Sequence, residues 1–231
     1  MLNVFVLVNF LYKIFPKEII NNHAYSIQKF ISKAAKECNK KNKKVLDIGA
    51  GELPYKGYFD KCGYFTQDIV NYNGAIDYVS DAKTIPVKDR SFDYIICTQV
   101  MEHVKEPHLV IREMYRILKK GGKVFLTTHG NFEEHGIPYD FFRYTRYGLK
   151  YLAISNHFRS AKIKPQGGRF IAVSKFIQTL IPRVLKNKYL VYLYYFFAMI
   201  PIFIIHLVFF YLDKLDKDKS LTLNYECIFV K

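Results

Sequence analysis

The run Val45–Gly51 (VLDIGAG) constrains what this chain can fold into more than any other stretch. A short β-rich segment leads directly into Gly49-Ala50-Gly51, where missing side chains let the backbone turn sharply and approach a ligand closely. In open α/β sheets ligands bind at such turns, outside the carboxyl ends of the strands. The rest of the chain supplies the partners. Tyr64–Asp68 and, more weakly, Ala75–Val79 read as further strands. Phe92–Cys97 (FDYIIC) is a continuous apolar run, as expected of a strand buried on both faces. Residues 23–42 and Pro107–Lys120 carry helical spacing, the second stopping at Gly121-Gly122, a helix C-terminal signal. Lys123–Thr128 and Leu221–Val230 read as two more strands. Alternation at this rhythm predicts a doubly wound α/β sheet.

Charge is distributed unevenly over the 231 residues, which carry a formal net charge of +15. Nine lysines before Val45 face only Glu18 and Glu37, and from Phe141 to Leu212 there is no acidic residue against eleven Lys and Arg. The stretch between is slightly acidic. The basic surplus therefore belongs to the flanks and implies an acidic partner, either nucleic acid or an anionic membrane surface. Half the residues are hydrophobic, too many for a disordered chain. Four scattered cysteines (Cys38, Cys62, Cys97, Cys227) form no CxxC pair and suit free thiols in a reducing compartment. Pro54 stands where a dinucleotide fingerprint would place its third glycine, which removes support for NAD. Asp68, at the end of the second strand, is well placed to hold a ribose, and Asp81-Ala82 to meet an adenine amino group.

VLDIGAGELPY, the Asp ending YFTQD, DAKTIPVKDRSFDYIICTQVMEHV and EMYRILKKGGKVFLTT together resemble the class I S-adenosylmethionine-dependent methyltransferases, in their small-molecule branch. The resemblance covers about residues 40–150 closely. It implies an enzyme with a Rossmann-like, mostly parallel seven-stranded sheet, helices on both faces, and a hydrophobic helical insertion before the last strand. Its cofactor would be S-adenosylmethionine. Asp47 would orient the glycine turn, with Gly49, Ala50 and Gly51 against the methionine part. Asp68 would take the ribose hydroxyls, Ile69 would pack on adenine, Asp81 and Ala82 would meet its amino edge, and Thr98 would line the methionine side. Glu102 and His103 are read as packing and polar-network residues of the motif. No metal is expected, because no other ligand accompanies them at metal-binding spacing.

The segment after the fifth strand is rich in groups for the acceptor. A hydroxyl acceptor gains from a general base near neutral pH, which histidine suits. His135 and Asp140 are the candidates for base or orienting groups, and His129, Arg143 and Tyr144 for substrate binding. HGIPYDFFRYT resembles a pattern in methyltransferases associated with bacterial surface-polysaccharide genes.

Two apolar stretches remain. Residues 1–22 are expected to form an apolar N-terminal helix preceding a methyltransferase domain over 23–231. Tyr189–Leu212 is 24 residues without a charge, inside a membrane-associating insertion at about 176–215. As one helix it would reach ~36 Å, enough for a bilayer core. A span would strand the last β-strand on the wrong side, and Pro201 divides the segment, so a bent, shallow insertion is expected. The function expected is methyl transfer to a small or lipid-linked acceptor, a saccharide of envelope polysaccharide synthesis, by a cytoplasmic protein peripheral or monotopic at the membrane. A nucleic-acid methyltransferase and a non-catalytic membrane scaffold are the rivals. The first loses ground because CTQVMEH follows FDYIIC where an Asn/Asp-Pro-Pro-Tyr motif would stand.

Overall fold

Successive side chains of a strand point to opposite faces, so an apolar run with no polar alternation must be covered twice. A computed structural model describing residues 15–184 and 187–231 shows this arrangement. Seven strands, β1 (Lys44–Ile48), β2 (Gly63–Asp68), β3 (Tyr78–Val79), β4 (Phe92–Thr98), β5 (Leu118–His129), β6 (Ser160–Gln166) and β7 (Asn224–Val230), form one sheet in the order β3-β2-β1-β4-β5-β7-β6. β1 pairs in parallel with β2 and β4, β2 with β3, and β4 with β5. β7 runs antiparallel to β5, with Lys123 opposite Val230 and His129 opposite Asn224. The doubly wound, mostly parallel seven-stranded fold expected from the sequence is present.

The two faces are distinct in composition. Leu46, Ile48, Ile95, Cys97, Val124 and Leu126 pack with Val110, Ile111, Met114 and Ile117 of α3 (Pro107–Ile117) and Leu149 and Ala153 of α4 (Arg146–Ser155). Their neighbours along the strands, Val45, Ile96 and Phe125, pack with Ile27, Phe30, Ile31 and Ala34 of α2 (Asn22–Cys38). All four cysteines are free, three of them buried.

Two boundaries differ from the sequence expectation. α3 ends at Ile117, three residues early, because Leu118 is extended and pairs with Phe92 in β5. The glycines then sit inside the strand, where Gly122 lies so close to the Asp93 carbonyl that a Cβ would approach it to 2.8 Å. Strand pairing, not the glycine signal, stops the helix. The weak third strand shrinks to Tyr78–Val79, preceded by a short helical turn, Tyr72–Gly74. The N-terminal helix expected over 1–22 falls mostly outside the described residues. Within them, α1 (Lys17–Ile20) is a single turn.

The chain divides into two compact units: residues 27–164 with 224–231, which hold β1–β5 and β7, and the described residues of 1–26 with 165–223. In the second, α5 (Arg169–Val184) packs against α6 (Lys188–Leu212). Asp213 accepts from the Gly168 and Ile171 amides and Asp216 from the Arg169 amide, so two carboxylates satisfy the donors at the α5 N-terminus. Buried His206 of α6 contacts Ser174 of α5 at 2.6 Å and the Ile19 carbonyl of α1. Burial lowers its pKa, so it stays neutral in this apolar pair. The bend expected at Pro201 is absent as a break: α6 is one helix of 25 residues with the proline inside. Proline removes a single amide from the ladder, and helical backbone continues on both sides of it. Among the described residues no helix is long and apolar enough to cross a membrane.

Because β1 and β4 are neighbours, the turns leaving their carboxyl ends meet. Gly49 has φ +69°, and a Cβ on it would lie 2.2 Å from Val100 Cγ2. Gly49→Ala should cost about 1–2 kcal/mol for the left-handed backbone and roughly 1–3 more for overpacking. Urea denaturation should show Val100→Ala recovering the second part only.

Candidate functional site

The glycine turn hangs from the end of β2. The Gly49 and Ala50 amides both donate to the Gln67 carbonyl, at 2.8 and 3.0 Å. Asp68, the last residue of β2, accepts from the Gly51 amide at 2.9 Å and from the Val70 amide at 3.2 Å. A carboxylate offers about four acceptor positions, so these two bonds leave capacity for a pair of ligand hydroxyls. Beyond β3, Asp81 takes the Lys83 amide at 3.0 Å.

A cavity of about 740 Å³ opens above these strand ends. Of the residues expected at the cofactor, Gly49, Gly51, Asp68, Ile69, Asp81 and Ala82 line it. Ile69 is 72% exposed, an apolar surface beside a carboxylate, as a ring-bearing nucleoside requires. Asp47, Ala50 and Thr98 stand behind this lining. Ala50 is buried, and Thr98 is hydrogen-bonded to Tyr55. Asp47 is buried and accepts the Tyr64 hydroxyl at 2.5 Å. Burial, with the Asp68 charge added, pushes its carboxyl up to about 7.

The far half of the cavity comes from the turn after β4 and the loop after β5: Gln99, Val100, His103, Lys105, Tyr139 and Phe141. Sequence reasoning assigned none of these a ligand role. His103, Tyr139 and Phe141 are far apart in the chain, and the only signal was the pairing of Glu102-His103 with an aromatic-rich loop. The structure joins them through the backbone. The Phe141 and Phe142 amides donate to the Glu102 carbonyl at 2.8 and 3.2 Å, and the Tyr139 carbonyl lies 2.5 Å from His103 Nδ1.

The expected acceptor residues are placed beside the cavity, in the loop's own framework. Arg143 grips both oxygens of Asp140, at 2.7 and 2.6 Å, and also reaches the Phe132, Glu133 and Phe142 carbonyls. The guanidinium holds the Asp140 carboxyl well below the usual range. Asp140 accepts the His135 amide at 2.8 Å, and His135 Nδ1 lies 3.4 Å from it. His129 and Tyr144 are buried; Tyr144 donates to the Met101 carbonyl at 2.7 Å. Glu102 is fully buried, accepting from Thr128 at 2.7 Å and facing His129 Nε2 at 3.3 Å. Burial raises its carboxyl pKa.

Folding also brings His135 to Glu102 and His103, whose ligand atoms all lie within 4.8 Å of one another. Ligands of a zinc ion bound at ~2.0–2.1 Å sit roughly 3.3 Å apart. The group would have to contract to hold such an ion; His103 Nδ1 already meets the Tyr139 carbonyl and Glu102 Oε2 the Thr128 hydroxyl, which leaves His103 Nε2 and Glu102 Oε1.

A family model described as a methyltransferase domain matches residues 20–165. Over 38 residues the chain is 50% identical to a ubiquinone biosynthesis O-methyltransferase of Xanthomonas oryzae pv. oryzae, and over 37 residues 51% identical to one of Pseudomonas putida. Each match spans 16% of this chain and 16% of the relative. Among solved structures, a putative sarcosine dimethylglycine methyltransferase from Galdieria sulphuraria aligns with TM-score 0.56 at 15% identity, covering 94% of this chain and 91% of that one. Phosphoethanolamine N-methyltransferase 2 from Haemonchus contortus, in complex with S-adenosyl-L-methionine, aligns with TM-score 0.53 at 18% identity, covering 87% of this chain and 52% of that one. These likenesses show a common fold.

Asp47 makes stability depend on pH. A carboxyl with a higher pKa folded than unfolded binds its proton more tightly in the fold. Its contribution is full below about 3.9 and is lost as pH rises through about 7. Urea midpoints measured from pH 4 to 8 should fall across that window, and Asp47→Asn should flatten the slope.

Proposed function

For a chain that belongs to the methyltransferase family and takes its methyl group from S-adenosylmethionine, we propose transfer to a hydroxyl of a small or lipid-linked acceptor. The acceptor class we favour is a saccharide of envelope polysaccharide synthesis, on the strength of the HGIPYDFFRYT loop. One cavity carries the reading. Its near half has a glycine turn and a strand-end carboxylate, and its far half the His103 imidazole with the Tyr139 and Phe141 side chains. The relatives are named O-methyltransferases, which supports oxygen as the receiving atom.

The cofactor supplies an electrophilic methyl on a sulfonium, and the protein's work is chiefly alignment for in-line attack. Gly49 and Gly51 let the backbone close on the methionine part, with Asp47 behind them bracing the turn and Thr98 on the same side. Asp68 takes the ribose hydroxyls, Ile69 covers one face of the adenine, and Asp81 and Ala82 meet its edge. In the loop after β5, Asp140 orients His135, and Arg143 locks Asp140. The Tyr139 and Phe141 rings offer flat apolar surface to a sugar or a phenol. Lys105 Nζ, 5.7 Å from the Phe141 ring centre, favours an anionic group on the acceptor.

We place this chemistry at a membrane surface. α6 exposes Tyr189, Leu193, Phe197, Ile200, Ile204, Val208 and Tyr211 at three- and four-residue steps, and α5 exposes Val173, Phe176 and Leu180. Apolar stripes of this kind on a segment without acidic residues suit an anionic leaflet, with the helix lying in its plane. Lys214 caps the stripe by sitting 4.9 Å from the Tyr211 ring centre.

Calorimetry should show S-adenosylmethionine binding that Asp68→Ala weakens about ten- to hundred-fold, the scale of a lost hydrogen bond to a charged group at roughly 1.5–3 kcal/mol. No binding by the wild-type protein would leave the scaffold reading in its place. Labelled methyl transfer should then appear in a lipid extract containing lipid-linked saccharides; transfer confined to a polyprenylated phenol would replace the saccharide assignment. For the membrane, the triple change Phe197→Glu, Ile200→Glu, Ile204→Lys alters exposed positions only. It should abolish co-sedimentation with phosphatidylglycerol vesicles while leaving calorimetric binding intact.

A further inference from the structure

We propose that His103 is the general base that removes the acceptor's hydroxyl proton, a role that rests on the O-methyl transfer proposed above. His103 closes the short turn Met101–His103 that follows β4, and its ring is part of the cavity wall together with Tyr139 and Phe141. His135 and Asp140 are not part of that wall, so among the described histidines of this region it is His103 that can touch an acceptor.

The geometry also determines which nitrogen is available. His103 Nδ1 lies 2.5 Å from the Tyr139 carbonyl oxygen. A carbonyl has no proton to give, so the hydrogen in that contact belongs to Nδ1. A neutral imidazole with its proton on Nδ1 carries its lone pair on Nε2. The loop keeps the ring in this state. A Cβ on Gly136 would come within 3.2 Å of His103 Cε1, so the loop backbone closes against the ring edge with no side chain between. The His135 ring stands nearly perpendicular to it, with centroids 4.8 Å apart.

The step balances without a further reagent. The acceptor oxygen forms its bond to the methyl carbon as the sulfur–carbon bond breaks, its electron pair remaining on sulfur. The hydroxyl proton passes to Nε2, and the resulting imidazolium still donates from Nδ1 to the Tyr139 carbonyl. Solvent then takes the proton. The charged or titratable groups around the ring are Glu102 on the same turn, Lys105 just beyond it, His129 at the end of β5, and His135, Asp140 and Arg143 on the loop. Asp140 and Arg143 neutralise each other through their paired bonds, and the Glu102 carboxyl on the same turn is electrostatically linked to the ring, a positive His103 favouring its ionised form against the effect of burial.

His103→Asn is the informative variant, because its amide nitrogen can keep the bond to the Tyr139 carbonyl while removing the base. The expected result is unchanged calorimetric affinity for S-adenosylmethionine, labelled transfer to the lipid extract slowed about 10²–10⁴-fold, and loss of the acidic limb of the pH–rate profile. Nitrogen-15 spectroscopy of the wild-type protein should show His103 protonated at Nδ1 in its neutral form. An Nε2-protonated ring, a variant with the wild-type rate and pH profile, or activity abolished by chelation and restored by zinc would each overturn the proposal. Wild-type protein that binds the cofactor but labels no acceptor overturns the transfer reading and the base with it. No cofactor binding at all overturns the enzyme reading first.

Discussion

The close meeting of two strand-end turns is the constraint on which this site depends. β1 and β4 are parallel neighbours, so the backbone leaving each must turn away within the same few ångströms. Gly49 gives way by having no side chain, and Val100 occupies the room that a Cβ would need. The glycine turn is then held from the other side by the Gln67 carbonyl and the Asp68 carboxylate of β2. Three strands thus share one rim, and the cavity is what remains between their turns. Crowding at Gly49 and openness above Gly51 follow from the same parallel register.

The opposite rim has a different origin. There the loop after β5 is tied to the turn after β4 through the Glu102 carbonyl, which receives two of its amides, and through Tyr144, whose hydroxyl reaches the Met101 carbonyl. Asp140 and Arg143 stiffen the loop from within. The buried Glu102 carboxyl is costly in isolation, which explains why Thr128 and His129 converge on it. Polar side chains that look catalytic in the sequence are consumed in building this support, and His103, carried on the turn they brace, is left facing the cavity.

Charge and hydrophobicity divide along the same lines. The sheet-bearing unit holds its apolar residues in two layers on either side of the strands. The unit that contains α5 and α6 leaves apolar stripes exposed, and its stretch from Pro165 to Leu212 has no acidic residue to oppose the lysines and arginines. His206 answers Ser174 and Ile19, and Asp213 with Asp216 answers the opening amides of α5. These contacts hold the helices to each other without covering the outward stripes.

Local patterns marked six of the seven strands, missing β6, together with the glycine turn and the carboxylates Asp68 and Asp81, because strand periodicity and turn chemistry act over a few neighbouring residues. The same local rules misplaced the end of α3, where Leu118 pairs with Phe92 across the sheet, and anticipated a break at Pro201 that the surrounding helix absorbs. The acceptor side lay beyond them for a physical reason. Whether His129, His135 and Arg143 face a ligand or each other depends on hydrogen bonds between residues far apart in the chain. His103 and Tyr139 are 36 positions apart, and only the tertiary structure sets the carbonyl of one against the ring of the other. The sequence by itself determined which residues end strands, since that is written in short-range pattern. The folded chain decided which side chains remain available for chemistry, since that depends on what each has already bonded.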